Sequence, residues 1–270
     1  MAPTEVGGWI ADQYRDSGNL ASRQRLHQTA STASVPWHRF VFHHLLKAPE
    51  GSHVLEVGCG PATLWVENAG HIPASWHITL TDQSSGMVDA AVATVKDLRP
   101  SILVYAAEVT ALPFSENRFQ MVVANHMLYH VTERARALAE IARVLVPGGL
   151  LVAATNGPGH MIELKQLVPM SSKGRGFLGA SSPFDLENGP AQMQPWFAAV
   201  RVSRHHNRLL VRDPQLVVDY LQSVSAEPMS EGAKARIRAR ISREIAERGC
   251  FAIHPEAGVI LARRRSKLPA

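Results

Sequence analysis

The sequence predicts an α/β protein on a doubly wound, mostly parallel sheet of seven strands. Helices precede the sheet, and a cap insertion separates strands five and six. Three observations carry that prediction. Short apolar runs alternate with helical stretches between residues 53 and 155, and parallel strands with crossover helices are the natural way to bury them. The first run, Val54, Leu55 and Val57, ends abruptly in Gly58-Cys59-Gly60-Pro61, which is how a buried strand turns into a tight nucleotide-binding loop. The 270 residues, 46% hydrophobic and 19% charged, can bury a core of that size.

Residues 1–50 form a helical segment expected to cover a ligand. Ile10 to Leu26 accommodates one or two short helices carrying Tyr14 and Leu20, with a break at Ser17-Gly18. Pro36 opens a stronger helix in which Trp37, Phe40, Val41, His44 and Leu45 share a face, and Pro49 and Gly51 close it. Tyr14 and Trp37 are candidate substrate contacts; ordinary packing on the sheet competes for Trp37 and Phe40.

Residues 51–156 form the core. Strands are expected over 53–57, 76–82, 101–106, 119–125 and 149–155, and helices over 62–70, 85–98 and 132–145. Residues 157–195 are the cap: a short helix over Gly159–Val168, then a stretch rich in Gly, Ser and Pro. A connection this long inside a domain is usually a lid or a binding insertion, and His160 and Glu163 are its candidate substrate contacts. Residues 196–270 complete the sheet with a sixth strand over Val200–Val211 and a seventh over Phe251–Arg263. Two helices lie between them, one from Asp213-Pro214 through Leu221 and one from Ser230 to Glu247.

The formal net charge is +5, partly from Arg263, Arg264, Arg265 and Lys267, and no basic block runs through the core. Nucleic acid is therefore not the expected partner. The basic residues of 230–248 surround an Ile237/Ile241/Ile245 stripe and read as a solvated face over a packed one. Two cysteines, Cys59 and Cys250, exclude a disulfide scaffold and a cysteine-rich metal site. No apolar run reaches membrane-spanning length and the N-terminus has no signal-peptide core, so no membrane association and a cytoplasmic location are expected. Monomer and homodimer both remain open.

The chemistry is expected along the carboxyl ends of the strands. Asp82 ends the second strand twenty-two residues after Gly60 and can accept bonds from both hydroxyls of a ribose; helix capping by Asp82 or Ser84 competes with that role. Glu108 and Val109 follow the third strand, where a carboxylate and a backbone N–H can meet an adenine edge. A third loop glycine and a P-loop lysine are both missing, which argues against a pyrophosphate. An acid at the base of the loop, Glu56, suits a cofactor with a positive amino-acid end.

In these motifs the chain resembles the class I S-adenosylmethionine-dependent methyltransferases, of the small-molecule type that includes ubiquinone and menaquinone biosynthesis enzymes. The resemblance spans residues 50–156: Glu56-Val57-Gly58-Cys59-Gly60, Asp82 within DQSSGM, Glu108-Val109 followed by Leu112-Pro113-Phe114, NHMLYHV at 125–131, and RVLVPGGLL at 143–151. It implies the Rossmann-like methyltransferase fold, with the seventh strand antiparallel to the sixth. It implies S-adenosyl-L-methionine as cofactor, S-adenosyl-L-homocysteine as product, and no metal. The implied cofactor contacts are Glu56, Gly58, Cys59 and Gly60 at the methionine end, with Asn125 near them. Asp82 follows on the ribose, then Glu108, Val109 and Leu112 at the adenine, and Gln83 and Met87 are further cofactor contacts. The chain departs from the family pattern at Ala62 (usually Gly), at Glu108 (more often Asp) and at Gln120 (where Asp is common).

Methyl transfer from a sulfonium needs alignment and desolvation more than acid–base machinery. His126, Tyr129 and His130, on the loop after the fourth strand, are the candidates to orient or deprotonate an acceptor, and His126 doubles as a substrate contact. Packing competes for Tyr129, and a backbone bond for His130. The expected reaction is direct in-line methylation of O, N or C in a small, apolar or aromatic metabolite, of the kind made in secondary metabolism. The rivals are an RNA or protein methyltransferase and a nonenzymatic cofactor-binding scaffold.

Overall fold

The computed structural model describes residues 18–98, 100–167, 182–225 and 227–267. Tyr14, Val168 and most of the Gly/Ser/Pro stretch expected as a cap lie outside them. In chain order the elements begin with α1 (Gly18–Ala30), α2 (Trp37–Leu45), β1 (His53–Val57), α3 (Thr63–Val66), β2 (His77–Asp82) and α4 (Ser85–Val95). There follow β3 (Ile102–Ala106), β4 (Phe119–Asn125), α5 (Arg134–Val144), β5 (Leu145–Asn156), α6 (Ile162–Lys165), α7 (Gly189–Met193) and β6 (Phe197–His205). The last are β7 (Leu209–Val211), α8 (Pro214–Val224), α9 (Glu231–Arg248), β8 (Phe251–Ile253) and β9 (Ala257–Arg264).

The chain divides into two units. The sheet unit takes Val35–Pro158, Ser182–His205 and Ala257–Ala270; the helical unit takes Met1–Ser34, Gly159–Ser181 and His206–Glu256. The segment 157–195 thus contributes to both.

The sheet unit holds seven strands in the order β3-β2-β1-β4-β5-β9-β6. The first five pair in parallel, and β9 runs antiparallel between β5 and β6. This is the mostly parallel, doubly wound sheet expected, with β9 antiparallel to β6 as the family resemblance implies. Its central strands are apolar on both faces because helices cover both. Leu55, Val57, Val122 and Ala124 pack against Leu138, Ile141 and Ala142 of α5. On the other face Val54, Met121 and Val123 share a cluster with Phe42, Trp65 and Ala91. Strand β5 starts four residues earlier than the apolar run suggests. Pro147-Gly148-Gly149 is carried inside it as an irregularity opposite Phe119–Met121, with Gly148 at φ +75°.

The helical unit has its own core. Leu26 of α1, Leu164 of α6, Val217 and Leu221 of α8, and Ile237 and Ile241 of α9 close around the β7-β8 pair. In the stripe of α9, Ile237 and Ile241 are buried and Ile245 is partly buried, and the helix runs one residue beyond the expected end, capped by Ser230 at the start and Gly249 at φ +80° at the end.

The expected sixth and seventh strands each divide in two, which corrects the boundaries read from sequence. Between β6 and β7, Asn207 Oδ1 accepts the backbone N–H groups of Thr32 and Ala33. Between β8 and β9 stands Pro255, which has no N–H for a ladder. Each of these two stretches therefore serves both sheets, with β6 and β9 in the large one and β7 and β8 in the small one. The expected helix at 62–70 also splits, into α3 and a 3-10 turn at Ala69–His71.

Candidate functional site

The site residues of the sheet unit gather on its carboxyl edge, where β1, β2 and β4 end side by side. The turn after β1 is held by its own backbone: Cys59 N–H donates to Thr81 O at 3.0 Å and Ala62 N–H to Cys59 O at 3.1 Å. Gly58 lies at φ +63° against Met127, whose Cβ and Cγ would stand 2.9 Å from any added Cβ. Gly60 lies at φ +53° with nothing within 4 Å of such an atom, so space is left where a ligand can approach the backbone. Ala62, at the position of the family's third glycine, is buried and left-handed at φ +60°. The alanine thus takes the glycine's conformation, at a steric cost of about 1–2 kcal/mol.

Asp82 latches this turn. Its Oδ2 accepts the Gly60 N–H at 2.9 Å and its Oδ1 the Ser84 N–H at 2.9 Å. Each oxygen keeps a further lone pair for a ligand. Gln83 beside it is exposed, and Met87, whose N–H bonds to Ser84 Oγ, is buried beneath.

Glu56 is fully buried at the base of the turn and accepts the indole N–H of Trp65 at 2.5 Å. Burial is the main reason its carboxyl is pushed up to about 8; the Trp65 bond opposes this and the charge of Asp82 adds to it. Cys59 is buried too, and burial, reinforced by Glu56 and Asp82, pushes its thiol far up. It is no thiolate nucleophile.

The loop after β3 carries Glu108, exposed, and Val109, buried with Leu112 and Phe114. It is pinned by two residues that sequence reading missed. Glu140 Oε2 accepts the Leu112 N–H at 2.9 Å, while Arg143 donates to Phe114 O at 2.8 Å and Leu112 O at 3.0 Å. The pair also joins itself, Arg143 Nε to Glu140 Oε1 at 2.7 Å, which holds the carboxyl low and the guanidinium high. Its loop partners lie 28–31 residues away in sequence, so no local pattern could have shown it.

At the end of β4, Asn125 is half-buried, and its Oδ1 is a buried acceptor without a partner among the described residues. His126 follows at φ +57°, its N–H bonded to Ala154 O at 3.1 Å. The Trp37 ring lies 4.9 Å from the His126 ring, and Tyr129 lies 6.2 Å from His126 and 4.4 Å from His130. Trp37, His126, Tyr129 and His130 are thus brought together. His205, at the end of β6, joins them, 5.4 Å from Trp37 and 5.0 Å from Phe40. Sequence reading missed it because the polar run around it gave no sign that a strand ends there.

His160 and Glu163 belong to the helical unit. His160 Nδ1–H donates to Glu256 O at 2.9 Å, and burial, then His27, pushes its pKa down to about 3. Glu163 is engaged by His254, at 2.5 Å to Nδ1 and 3.2 Å to the backbone N–H. Both polar groups are thus bound within their own unit.

Residues 54–149 match the family model described as a methyltransferase domain. Over these residues the chain is similar to methyltransferase domains. It is 36% identical over 137 residues to a demethylmenaquinone methyltransferase from Renibacterium salmoninarum, a match covering 49% of this chain and 54% of that protein. The chain spans about a third to a half of the length of the curated relatives it matches. Among solved structures, the YcgJ protein from Bacillus subtilis superposes with TM-score 0.60 at 13% identity, over 86% of this chain and all of that one. A phosphoethanolamine N-methyltransferase from Haemonchus contortus, solved with S-adenosylhomocysteine, gives 0.58 at 16% identity over 96% of this chain and 59% of that one. Those two likenesses concern the fold.

The methyl donor of the family, S-adenosylmethionine, fits the residues present. The Asp82 carboxylate has acceptor capacity left for hydroxyls, the orphaned Asn125 Oδ1 for an N–H group, and Gly60 leaves open space at the turn. Among the described residues, no group of three or more His, Cys, Asp or Glu is placed to hold a metal ion. No described helix is long and apolar enough to cross a membrane.

Proposed function

We propose that the protein transfers a methyl group from S-adenosylmethionine to a small apolar or aromatic metabolite by in-line displacement. The observation that carries this reading is the Asp82–Gly60 latch on the same sheet edge as the orphaned Asn125 amide, which continues into the Trp37–His126–Tyr129 ring cluster. When bound, the sulfonium supplies an already activated methyl group. The chain supplies the rest.

In this reading the turn Gly58-Cys59-Gly60 and Asn125 take the methionine end, with Glu56 as the buried acid behind them. Asp82 takes the ribose hydroxyls, with Gln83 and Met87 beside it. Glu108, the Val109 N–H and Leu112 take the adenine. Met127 packs on Gly58 and fixes the spacing between the turn and the acceptor loop. His126 orients the acceptor or removes its proton, with Tyr129 and His130 supporting it, and the rings around Trp37 exclude water. The acceptor atom, O, N or C, follows from the metabolite bound. The partner is a small molecule rather than nucleic acid, handled in the cytoplasm by a monomer or homodimer, within a specialised biosynthetic route.

Calorimetry of the full chain with S-adenosylmethionine and with NAD tests the cofactor. Binding of the first alone is expected, and its absence at millimolar concentration overturns the reading. A screen of small acceptors with methyl-labelled donor then separates an enzyme, which labels one of them, from a scaffold, which labels none.

A further inference from the structure

Four buried side-chain polar atoms lack a partner among the described residues: Trp37 Nε1, His44 Nδ1, Asn125 Oδ1 and Arg264 Nε. Three belong to α2 and the end of β4, in the sheet unit. Buried indole N–H groups normally find an acceptor. Trp65 shows the rule, with its N–H on Glu56 at 2.5 Å. Trp37 breaks it. Leaving such a donor unpaired costs about 1–3 kcal/mol, which a ligand bonding to it would recover.

The surroundings of Trp37 are rings. His126 lies at 4.9 Å, His205 at 5.4 Å and Phe40 at 5.8 Å, and Phe40 in turn meets His44 at 5.1 Å. The His205 ring is fixed, because its Nε2 lies 2.8 Å from Val35 O and a carbonyl can only accept. His205 therefore carries a proton on Nε2 and anchors the start of α2, which bears Trp37.

We propose that Trp37 is a specificity-determining donor: its indole N–H binds an oxygen of a flat acceptor that lies among these rings. The donor chemistry selects the atom. An indole N–H can only donate, so its partner must offer a lone pair. An ammonium has none, and a neutral amine needs its single lone pair for the methyl group. A phenol, phenolate, enolate or carbonyl oxygen has at least two, one for Trp37 and one to spare. The ring-lined surroundings favour a planar body for the molecule that bears it.

This inference rests on the methyltransferase reading, and its test is separable from it. The full chain, labelled with heavy nitrogen in its five tryptophan indoles, is loaded with S-adenosylhomocysteine and titrated with para-cresol and with para-xylene. The two probes differ by a hydroxyl for a methyl. The inference expects cresol to bind about tenfold more tightly. It also expects the indole resonance that disappears in Trp37→Phe to shift with cresol and not with xylene, while that of Trp65 stays in place. In Trp37→Phe the two probes should bind alike. Equal affinities in the native protein, or a cresol preference kept by Trp37→Phe, overturn it. Should Trp37→Phe not fold, Trp37→Tyr identifies the resonance instead, and the native chain's preference and shift decide. Failure to bind S-adenosylhomocysteine overturns the cofactor reading, whereas the cresol comparison repeated without it still judges Trp37.

Discussion

Two stretches of the same sheet edge are built differently. At the glycine turn the polar groups are paired within the protein: Gly60 and Ser84 N–H on Asp82, Cys59 N–H on Thr81, Trp65 on Glu56. At the loop after β4 and along α2, the buried N–H of Trp37, Nδ1 of His44 and Oδ1 of Asn125 have no such partners among the described residues. The first stretch is preorganised, so a ligand meets a finished surface. The second holds hydrogen-bonding capacity in reserve, which on the proposed reading a ligand fills. The proposed methyl transfer, with one constant donor and one particular acceptor, gives a reason for both designs: shape is fixed early for the first, and selectivity is left to polar matching for the second.

The largest expected effect tests how completely the glycine turn is closed off from water. The Glu56 carboxyl is raised from 4.5 to about 8. Between these values the native state keeps a proton that the unfolded chain has released. Native stability is therefore highest below the unfolded value and falls as pH rises toward about 8. The slope is about 1.4 kcal/mol per pH unit where Glu56 alone titrates. Urea unfolding at a series of pH values should show that slope in the native chain and lose it in Glu56→Gln. Parallel profiles for the two proteins would mean that the carboxyl reaches solvent, and the contrast between the two stretches would weaken.

The next test compares two glycines. Gly58→Ala puts a methyl group 2.9 Å from Met127 at φ +63°, whereas Gly60→Ala, at φ +53°, meets no atom within 4 Å. Strain and overpacking together should cost Gly58→Ala about 3 kcal/mol in urea unfolding without ligand. Gly60→Ala should lose about 1 kcal/mol, yet weaken S-adenosylhomocysteine binding because the methyl fills space left for the cofactor. Equal stability losses would show that Met127 yields, and that the two stretches are not locked together there.

How much of this was legible in the sequence follows from how far each interaction reaches. The strands, the glycine turn and Asp82 were readable because each is written within a dozen residues, by an apolar run and the residues that stop it. The division of residues 200–211 and 251–263 between two sheets was not. It depends on Asn207 bonding to residues 32 and 33, far back in the chain. Trp37 and His126 could each be picked out, but their 4.9 Å approach depends on how α2 lies on the sheet. The same holds for His205, and for the hold of Glu140 and Arg143 on a loop some thirty residues earlier. Composition likewise cannot tell that His160 spends its proton on the Glu256 carbonyl.

Arg143→Gln probes a middle case, since the loop after β3, proposed to take the adenine, is ordered from outside itself. The variant loses the bonds to Leu112 O and Phe114 O and leaves Glu140 to hold the Leu112 N–H. The pair is partly solvent-exposed, so the stability loss should be only about 1 kcal/mol. S-adenosylhomocysteine affinity, read by calorimetry, should fall several-fold as the loop loosens. Unchanged affinity would place the cofactor's adenine away from residues 108–112.

The smallest effect is the most informative about the turn. Ala62 is buried at φ +60°, where the family usually has glycine. Ala62→Gly relieves a left-handed strain of about 1–2 kcal/mol. It also gives the unfolded chain more freedom, which costs about 0.4–1 kcal/mol. And it removes a buried methyl group worth about 0.8 kcal/mol. The three contributions nearly cancel, so the unfolding midpoint should barely move and S-adenosylhomocysteine affinity should stay within about twofold. A gain above 1 kcal/mol would show that strain dominates and that the alanine is kept at a cost. A comparable loss would show that its methyl group packs beneath the turn and helps hold Gly60 toward Asp82. Either outcome would identify which force keeps this stretch rigid while its neighbour stays receptive.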